Sequence, residues 1–523
     1  MPLQDIETIV IVMLENRSFD HLVGYLSLPD ANPPMNVDGL RSDPAWLQRP
    51  ANDDSNANPI EPFAFAATVD TIIDPPHDRN AIATQINTAT HAGALNQMGG
   101  FVKSYENTNP ADPQLVMGHY KAGVVPALDF FARNFAICDG WFSSLPSGTQ
   151  PNRLMAMAGR SKIADNVTGP LPNQPLVYDW LTENGVSWCS YQWAGHPFFT
   201  LMLDWSLKIL FSLDDPFNLG AFRRYEGFHE QWNADAPVPS VIFIEPKYTD
   251  DPISLSAPND DHPPTALAPG EDFLRRVYRT LISNAERWRN TAMIVTYDEH
   301  GGFFDHVPPL QIRDRAGGRQ FVTTGVRVPA FLVSPHVAAG TPFRGKLDHT
   351  SILQLLADRF TRGQPYSAAV SARQQRLDPL RDVFVQPLAE LHAPEFPESL
   401  GAAMHVAAAT APVPPVGPGA PKDTETAKAF DRVAHELAVK HPEVLATRPG
   451  RVIAAYVAGT APTGGALPAL APAAVAPAAV RPIGQKPRRR AKKAAKAGPM
   501  PRKKARARVK PARRKRTKRK DRR

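Results

Sequence analysis

Cysteine is nearly absent from this chain: only Cys138 and Cys189 occur in 523 residues. Two cysteines cannot staple a chain of this length, and no CxxC pair is present to hold a structural zinc or a redox centre. They could pair once, but the expectation is two buried free thiols. Long apolar runs are also missing. The run at residues 9–14 is six residues long, far short of a membrane span. The opening "MPLQDIETIVIVML" has no basic region followed by an apolar stretch and a cleavage site, so the expectation is a cytoplasmic protein unless export proceeds without a signal. No self-similarity recurs at solenoid periods. The Ala/Pro-rich stretch 467–480 is apolar but broken by prolines, which makes it a linker.

Proline, in contrast, is abundant: 54 residues, against a usual share of about 5%. Charge is unevenly placed. Residues 481–523 hold 23 Lys+Arg and one acid, Asp521, while the rest of the chain carries 36 basic and 50 acidic residues. The net charge of +8 therefore describes a basic tail attached to an acidic body. Such a tail is an interaction segment, and an anionic membrane or nucleic acid would attract it.

The body reads as α/β. Residues 7–14, 240–245, 292–297 and 328–335 are apolar and β-branched, as in strands buried on both faces. Helical patterns lie between them, at 128–135, 270–288 and 350–360, the last opening with Thr350 and Ser351 as caps. That alternation predicts a mostly parallel sheet. The domain is expected to occupy 1–395. A linker with one short accessory helix follows over 396–459, and a disordered Ala/Pro then Lys/Arg-rich tail over 460–523.

Two of these strands end in acids. Residues 7–14 run into Glu15 and Asn16, and 292–297 run into Asp298 and Glu299. Open parallel sheets bind ligands beyond the C-terminal ends of their strands. A single acid in such a place ordinarily caps a helix or pairs with Arg. Four oxygen-bearing side chains without a thiolate suit a hard divalent cation of the Ca, Mg or Mn class.

The segments "VMLENRSFDHLVGYL" (12–26), "SSLPSGTQPNRLMAMAG" (143–159), "DDHPPTALAPGEDFL" (260–274), "TYDEHGGFFDHVPP" (296–309) and "DHTSILQLL" (348–356) resemble, in order, the phosphoesterase family of bacterial phospholipases C and metal-dependent acid phosphatases. The resemblance implies an alkaline-phosphatase-like sheet between helices, with one metal ion at the strand ends. It assigns Glu15, Asn16, Asp298 and Glu299 to the metal, and it places the family's nucleophile on Thr149 in contact with that metal. His77 and His262 match histidines that contact the phosphoryl group. His196, in "AGHPFF", lies where the family has further active-site histidines, although its flanks match weakly.

Where the family often has a second His, this chain has Asp261, which would change phosphate contact or the pH optimum. Arg17 and Asp20 are expected to brace the turn after the first strand. Asp305, His306, Asp348 and His349 are expected to form hydrogen-bond networks behind the metal. The implied activity is hydrolysis of a phospholipid headgroup ester. A phosphomonoesterase, or a polyanion-binding protein acting through its tail, are the alternatives.

Overall fold

The computed structural model describes residues 2–66, 72–108, 110–193, 197–215, 219–253, 257–385, 391–411 and 422–460. Eight strands form the main sheet: β1 (Thr8–Leu14), β2 (Ala136–Cys138), β3 (Trp188–Gln192), β4 (Phe222–Arg224), β5 (Val241–Ile244), β6 (Thr291–Tyr297), β7 (Ala330–Val333) and β8 (Thr341–Phe343). Their order is β8-β2-β7-β6-β1-β5-β3-β4. Every pairing is parallel except those of β7, which runs against both β6 and β2. All seven residues of β1 and of β6 are buried, so both faces of the sheet are covered, which the unbroken apolar runs require.

The helices that position the site are α1 (Phe19–Val23), α2 (Pro126–Asn134), α3 (Thr149–Ala158), α4 (Ala268–Ile282) and α5 (Thr350–Phe360). Helix α4 buries Phe273, Val277 and Leu281 on the face the periodicity predicts. Both cysteines are free and buried. No helix among the described residues is long and apolar enough to cross a membrane.

Two expectations change. Thr350 and Ser351 do not cap α5: they lie inside its first turn, and Asp348 Oδ1 accepts from Thr350 N at 2.8 Å. Asp348 is one residue too early for a sequence rule to favour, but it supplies the acceptor that the first helical N–H groups lack. The stretch 396–459, expected as linker with one helix, holds three α-helices among its described residues: α6 (Glu398–Thr410), α7 (Glu425–Lys440) and α8 (Arg448–Val457). Alanine-rich composition made α6 look like linker, yet alanine is the strongest helix former and α6 packs along α4. Residues 1–464 form one compact unit, and 461–523 lie outside the described residues.

The turn after β1 is braced by a buried ion-pair network. Arg327 meets Asp20 Oδ1 at 3.0 Å and Asp305 Oδ2 at 3.1 Å, donates to the carbonyls of Asp38 and Asp139, and lies over the Phe19 ring at 4.1 Å. His306 adds a 2.6 Å contact to Asp20. Removing the guanidinium strands two buried carboxylates. Arg327→Met is therefore expected to cost about 3–5 kcal/mol in urea unfolding. Arg381→Ala, which breaks a half-exposed pair with Asp358, is expected to cost about 1 kcal/mol or less.

Candidate active site

The parallel pairing of β1 and β6 ends in register at Leu14 and Tyr297. The next residues, Glu15 and Asp298, therefore emerge side by side, with Asp298 N donating to Leu14 O at 3.1 Å. The chain then turns sharply. Asn16 adopts a left-handed φ of 62°, a conformation that Asn tolerates better than most residues. Its backbone N–H donates to Asp298 Oδ1 at 3.1 Å, and Arg17 N donates to Glu299 O at 3.1 Å. Gly301, with φ of 63°, makes this meeting possible: a Cβ there would sit 2.1 Å from Asn16 O.

The Asn16 side chain is the centre of the site. One terminal amide atom lies 3.2 Å from Thr149 Oγ1, 3.0 Å from Glu299 Oε1 and 3.3 Å from Asp298 Oδ1. The other lies 3.3 Å from His77 Nε2 and 2.7 Å from His262 Nε2. If the oxygen faces the carboxylates, three oxygens crowd together and need a cation between them. If the nitrogen faces them, its two N–H groups donate among Thr149 Oγ1, Glu299 Oε1 and Asp298 Oδ1, and the amide oxygen accepts from the histidines. The choice of amide orientation is thus tied to whether a cation sits among these oxygens.

Thr149 is the first residue of α3. Gly148, not Thr149, occupies the N-cap position, so the Thr149 hydroxyl is not spent on capping and points to Asn16. One helical turn on, Arg153 reaches the same place from the same helix face. Its guanidinium lies 2.9 Å from Glu15 Oε1 and 3.5 Å from Asp298 Oδ2, and it donates to Tyr248 Oη at 3.1 Å. The rings of Phe198 and Tyr248 hold it at 4.8 and 4.9 Å.

Electrostatics follow from burial. Glu15, Asp298 and Glu299 are each 0% exposed. Burial lifts Glu15 well above the ordinary carboxylate range, against the pull of Arg153. Burial also raises Asp298, to about 6, again opposed by Arg153. For Glu299 burial works upward, but His77 and His300 outweigh it and hold the group below its ordinary value. For His77 burial works downward, but Asp74 and Glu299 outweigh it and lift the ring to about 10. Burial likewise opposes the rise of His262, which Asp74, Asp250 and Asp260 bring about.

Counting Asp74 and Asp250, five carboxylates face Arg153, His77 and His262, so negative charge is in excess even with both rings protonated. Glu15 Oε2 and Asp298 Oδ2 have no hydrogen-bond partner among the described residues. An all-oxygen donor set with spare carboxylate atoms fits a hard divalent cation, so the residues present fit the metal that the resemblance implies.

The structure therefore brings together Glu15, Asn16, Thr149, Asp298, Glu299, His77 and His262. His196 lies outside the described residues. Asp261 turns toward Tyr297, whose hydroxyl donates to its Oδ2 at 2.6 Å, and its own carbonyl accepts from Arg17 Nε. His349 sits behind the site with both ring nitrogens in use: Nε2 donates to Asp298 O at 2.6 Å, and Nδ1 accepts from Trp141 Nε1 at 3.2 Å.

Sequence reasoning missed Arg153, Asp74 and Asp250. Asp74 lies 3.6 Å from His77 Nδ1, and Asp250 lies 3.9 Å from His262 Nε2. Ligand atoms of Asp74, His77 and His262, and of Glu15, Asp250 and His262, converge within 4.8 Å. The i, i+4 spacing from Thr149 could have revealed Arg153. Nothing local marks Asp250.

The phosphoesterase family profile matches residues 6–361. Over 353 residues the chain is 33% identical to Non-specific phospholipase C1 of Arabidopsis thaliana, covering 64% of this chain and 62% of that protein. Over 403 residues it is 30% identical to Phospholipase C A of Mycobacterium tuberculosis (strain ATCC 25618 / H37Rv), covering 68% of this chain and 73% of that one. The chain thus spans a little under two thirds of the plant relative's length. A solved protein in the alkaline phosphatase superfamily from Vibrio parahaemolyticus aligns at 10% identity and a TM-score of 0.28, over 45% of this chain and 60% of that chain. With the profile spanning both strand-end motifs and the helix that carries Thr149, the chain belongs to the phosphoesterase family.

Proposed function

We propose that this protein is a metal-dependent phosphoester hydrolase that uses Thr149 as its nucleophile, and that its substrate is a phospholipid cleaved on the diacylglycerol side of phosphorus. The observation that carries this reading is the position of Thr149 Oγ1. It is 1% exposed, free of capping duty, and 3.2 Å from an Asn16 amide flanked by two carboxylates and two histidines. The phospholipase C names of the relatives support the lipid substrate. A phosphomonoesterase remains the alternative within the same chemistry.

Glu15, Asn16, Thr149, Asp298 and Glu299 would hold one divalent cation. When bound, such an ion lowers the pKa of a coordinated hydroxyl and neutralises charge at phosphorus. The chain's own groups do the rest. Thr149 loses its hydroxyl proton to solvent and Oγ1 attacks phosphorus in line, forming a phosphothreonine diester as the bond to the leaving alkoxide breaks. A ring N–H of His77 or His262 protonates that alkoxide, a role suited to histidines held charged by Asp74, Glu299 and Asp250. Water then attacks the phosphothreonine, the same histidine takes up one proton of that water, the bond from phosphorus to Thr149 Oγ1 breaks, and Oγ1 regains a proton from solvent as the phosphorylated headgroup leaves. Arg153 fixes Glu15 and Asp298 while this happens.

Thr149→Ala should reduce kcat by about 10³-fold or more, since it removes the atom that bonds phosphorus, while the urea midpoint stays near that of the wild type. Hydrolysis of p-nitrophenylphosphocholine followed at 405 nm checks this, and near-wild-type turnover would end the proposal.

Chelation should abolish turnover and Mg²⁺, Mn²⁺ or Ca²⁺ should restore it. The ion should also raise Tm independently of activity, by about 2.7 kcal/mol of stability at one hundred times its Kd. Asp298 titrates near 6, and protonation competes with the ion. The Tm increment should therefore be largest above that pH and fade as pH falls through it. An increment that is flat with pH, or absent, would count against these ligands.

Residues 481–523, with their 23 basic residues, are inferred to bind polyanions, either an anionic membrane that presents the substrate or nucleic acid. Binding of this segment to phosphatidylserine vesicles and to duplex DNA, measured side by side, is expected to weaken steeply with salt. Salt-insensitive binding, or none to either, would discard the inference.

A further inference from the structure

Helix α7 lies beyond the residues that the family profile matches, which end at 361, yet its first turn reaches the site. Thr424 is the N-cap: its Oγ1 accepts from Ala427 N at 3.0 Å and donates to Asp250 Oδ1 at 2.7 Å. The other oxygen of that carboxylate, Oδ2, faces His262 Nε2 at 3.9 Å, and Asp250, His262 and Glu15 bring their ligand atoms within 4.8 Å of one another. Asp250 is 5% exposed. Its carboxylate is therefore gripped from one side by α7 and presented to the histidine on the other.

A second contact comes from Thr426, which is 1% exposed and whose Oγ1 accepts from Gln150 Nε2 at 3.3 Å. Gln150 follows Thr149 directly in α3. A third comes from Phe430, fully buried, whose ring meets the edge of Phe198 at 6.4 Å. Phe198 is the ring that holds Arg153. Three side chains from the N-cap and first two turns of α7 thus touch the immediate neighbours of His262, Thr149 and Arg153.

We propose that α7 is a wall of the active site and that Thr424 is a positioning residue, acting through Asp250 on His262. This rests on the reading of His262 as a group that serves the phosphoryl reaction. The physical basis is geometric. A carboxylate in a buried site has several rotamers and one useful direction, and the Thr424 O–H bond fixes Oδ1 so that Oδ2 stays aimed at the ring. Without that donor the carboxylate is free to turn, and misplacement of a proton-transfer partner by about 1 Å costs up to about 100-fold in rate.

The capping and positioning roles of Thr424 separate by substitution. Thr424→Ser keeps both the acceptor for Ala427 N and the donor to Asp250. Thr424→Asp keeps a good N-cap acceptor but has no proton to give, and it sets a like charge against Asp250. Thr424→Ala loses both. With p-nitrophenylphosphocholine, and Tm measured alongside, T424S is expected within about twofold of wild type in kcat. T424A and T424D are each expected to lose about tenfold or more in kcat with KM changed less than threefold, and Tm is expected to fall in both, through the lost cap in T424A and through like-charge repulsion in T424D. In the Asp250→Asn background, T424A should bring no further loss.

Wild-type kcat in T424D would show that Thr424 only caps the helix and would overturn this proposal alone. Additive losses in the double variant would also overturn it. A wild-type protein inactive on the diester and on p-nitrophenyl phosphate, with each divalent ion present, would instead overturn the functional reading beneath it.

Discussion

The parallel pairing of β1 with β6 is the constraint on which the site depends. It runs in register for seven residues and stops at Leu14 and Tyr297, so two acid-bearing turns leave the sheet at one height and on one edge. Every residue of the two strands is buried, and slipping the register by one would turn each apolar side chain to the wrong face. The hydrophobic core thereby fixes the spacing of polar atoms that it never touches. The turn itself is closed by backbone bonds across the seam, from Asn16 to Asp298 and from Arg17 to Glu299, and by a glycine where any side chain would strike Asn16.

Concentrating carboxylates in such a place is costly, and the chain offsets only part of that cost. Arg153 neutralises one of three, and the Asn16 amide lies between the remaining oxygens and a pair of charged histidines. A divalent cation would relieve the residual imbalance, and Thr149, His77, His262 and the four strand-end residues lie within one buried cluster. The second ion-pair network, around Arg327, has the opposite character. Its carboxylates, Asp20 and Asp305, are already matched by an internal guanidinium and by His306, so although Asp20, Asp305 and His306 also converge, that cluster braces a turn.

Much of this was legible in the chain itself. The strands at 7–14, 240–245 and 292–297 appear as apolar runs with nothing to contradict them, and the burial of the cysteines and of one face of α4 follows from residue type and period. Glu15, Asn16, Asp298 and Glu299 were visible because a strand that ends in acids at a ligand-binding edge is unusual. The helix over 398–410 was not legible. Alanine-rich and bounded by prolines, it resembles linker until α4 offers it a surface. Asp250 was not legible either, since it matters only through partners more than ten residues away, and Arg153 was marked only by its i, i+4 spacing from Thr149.

The sequence by itself determined which chemistry is available: oxygen ligands without thiolates, a hydroxyl in a turn before a helix, histidines beside acids, and a tail of one charge. Local pattern is enough for this, because residue type sets what a group can coordinate, donate or attack. Only the tertiary structure decided who meets whom. It put Gly148 at the cap of α3, aimed the Thr149 hydroxyl at Asn16, and brought the first turn of α7 against Asp250. Those outcomes depend on strand register and helix docking, which arise from burial summed over the whole core and cannot be read from any one segment.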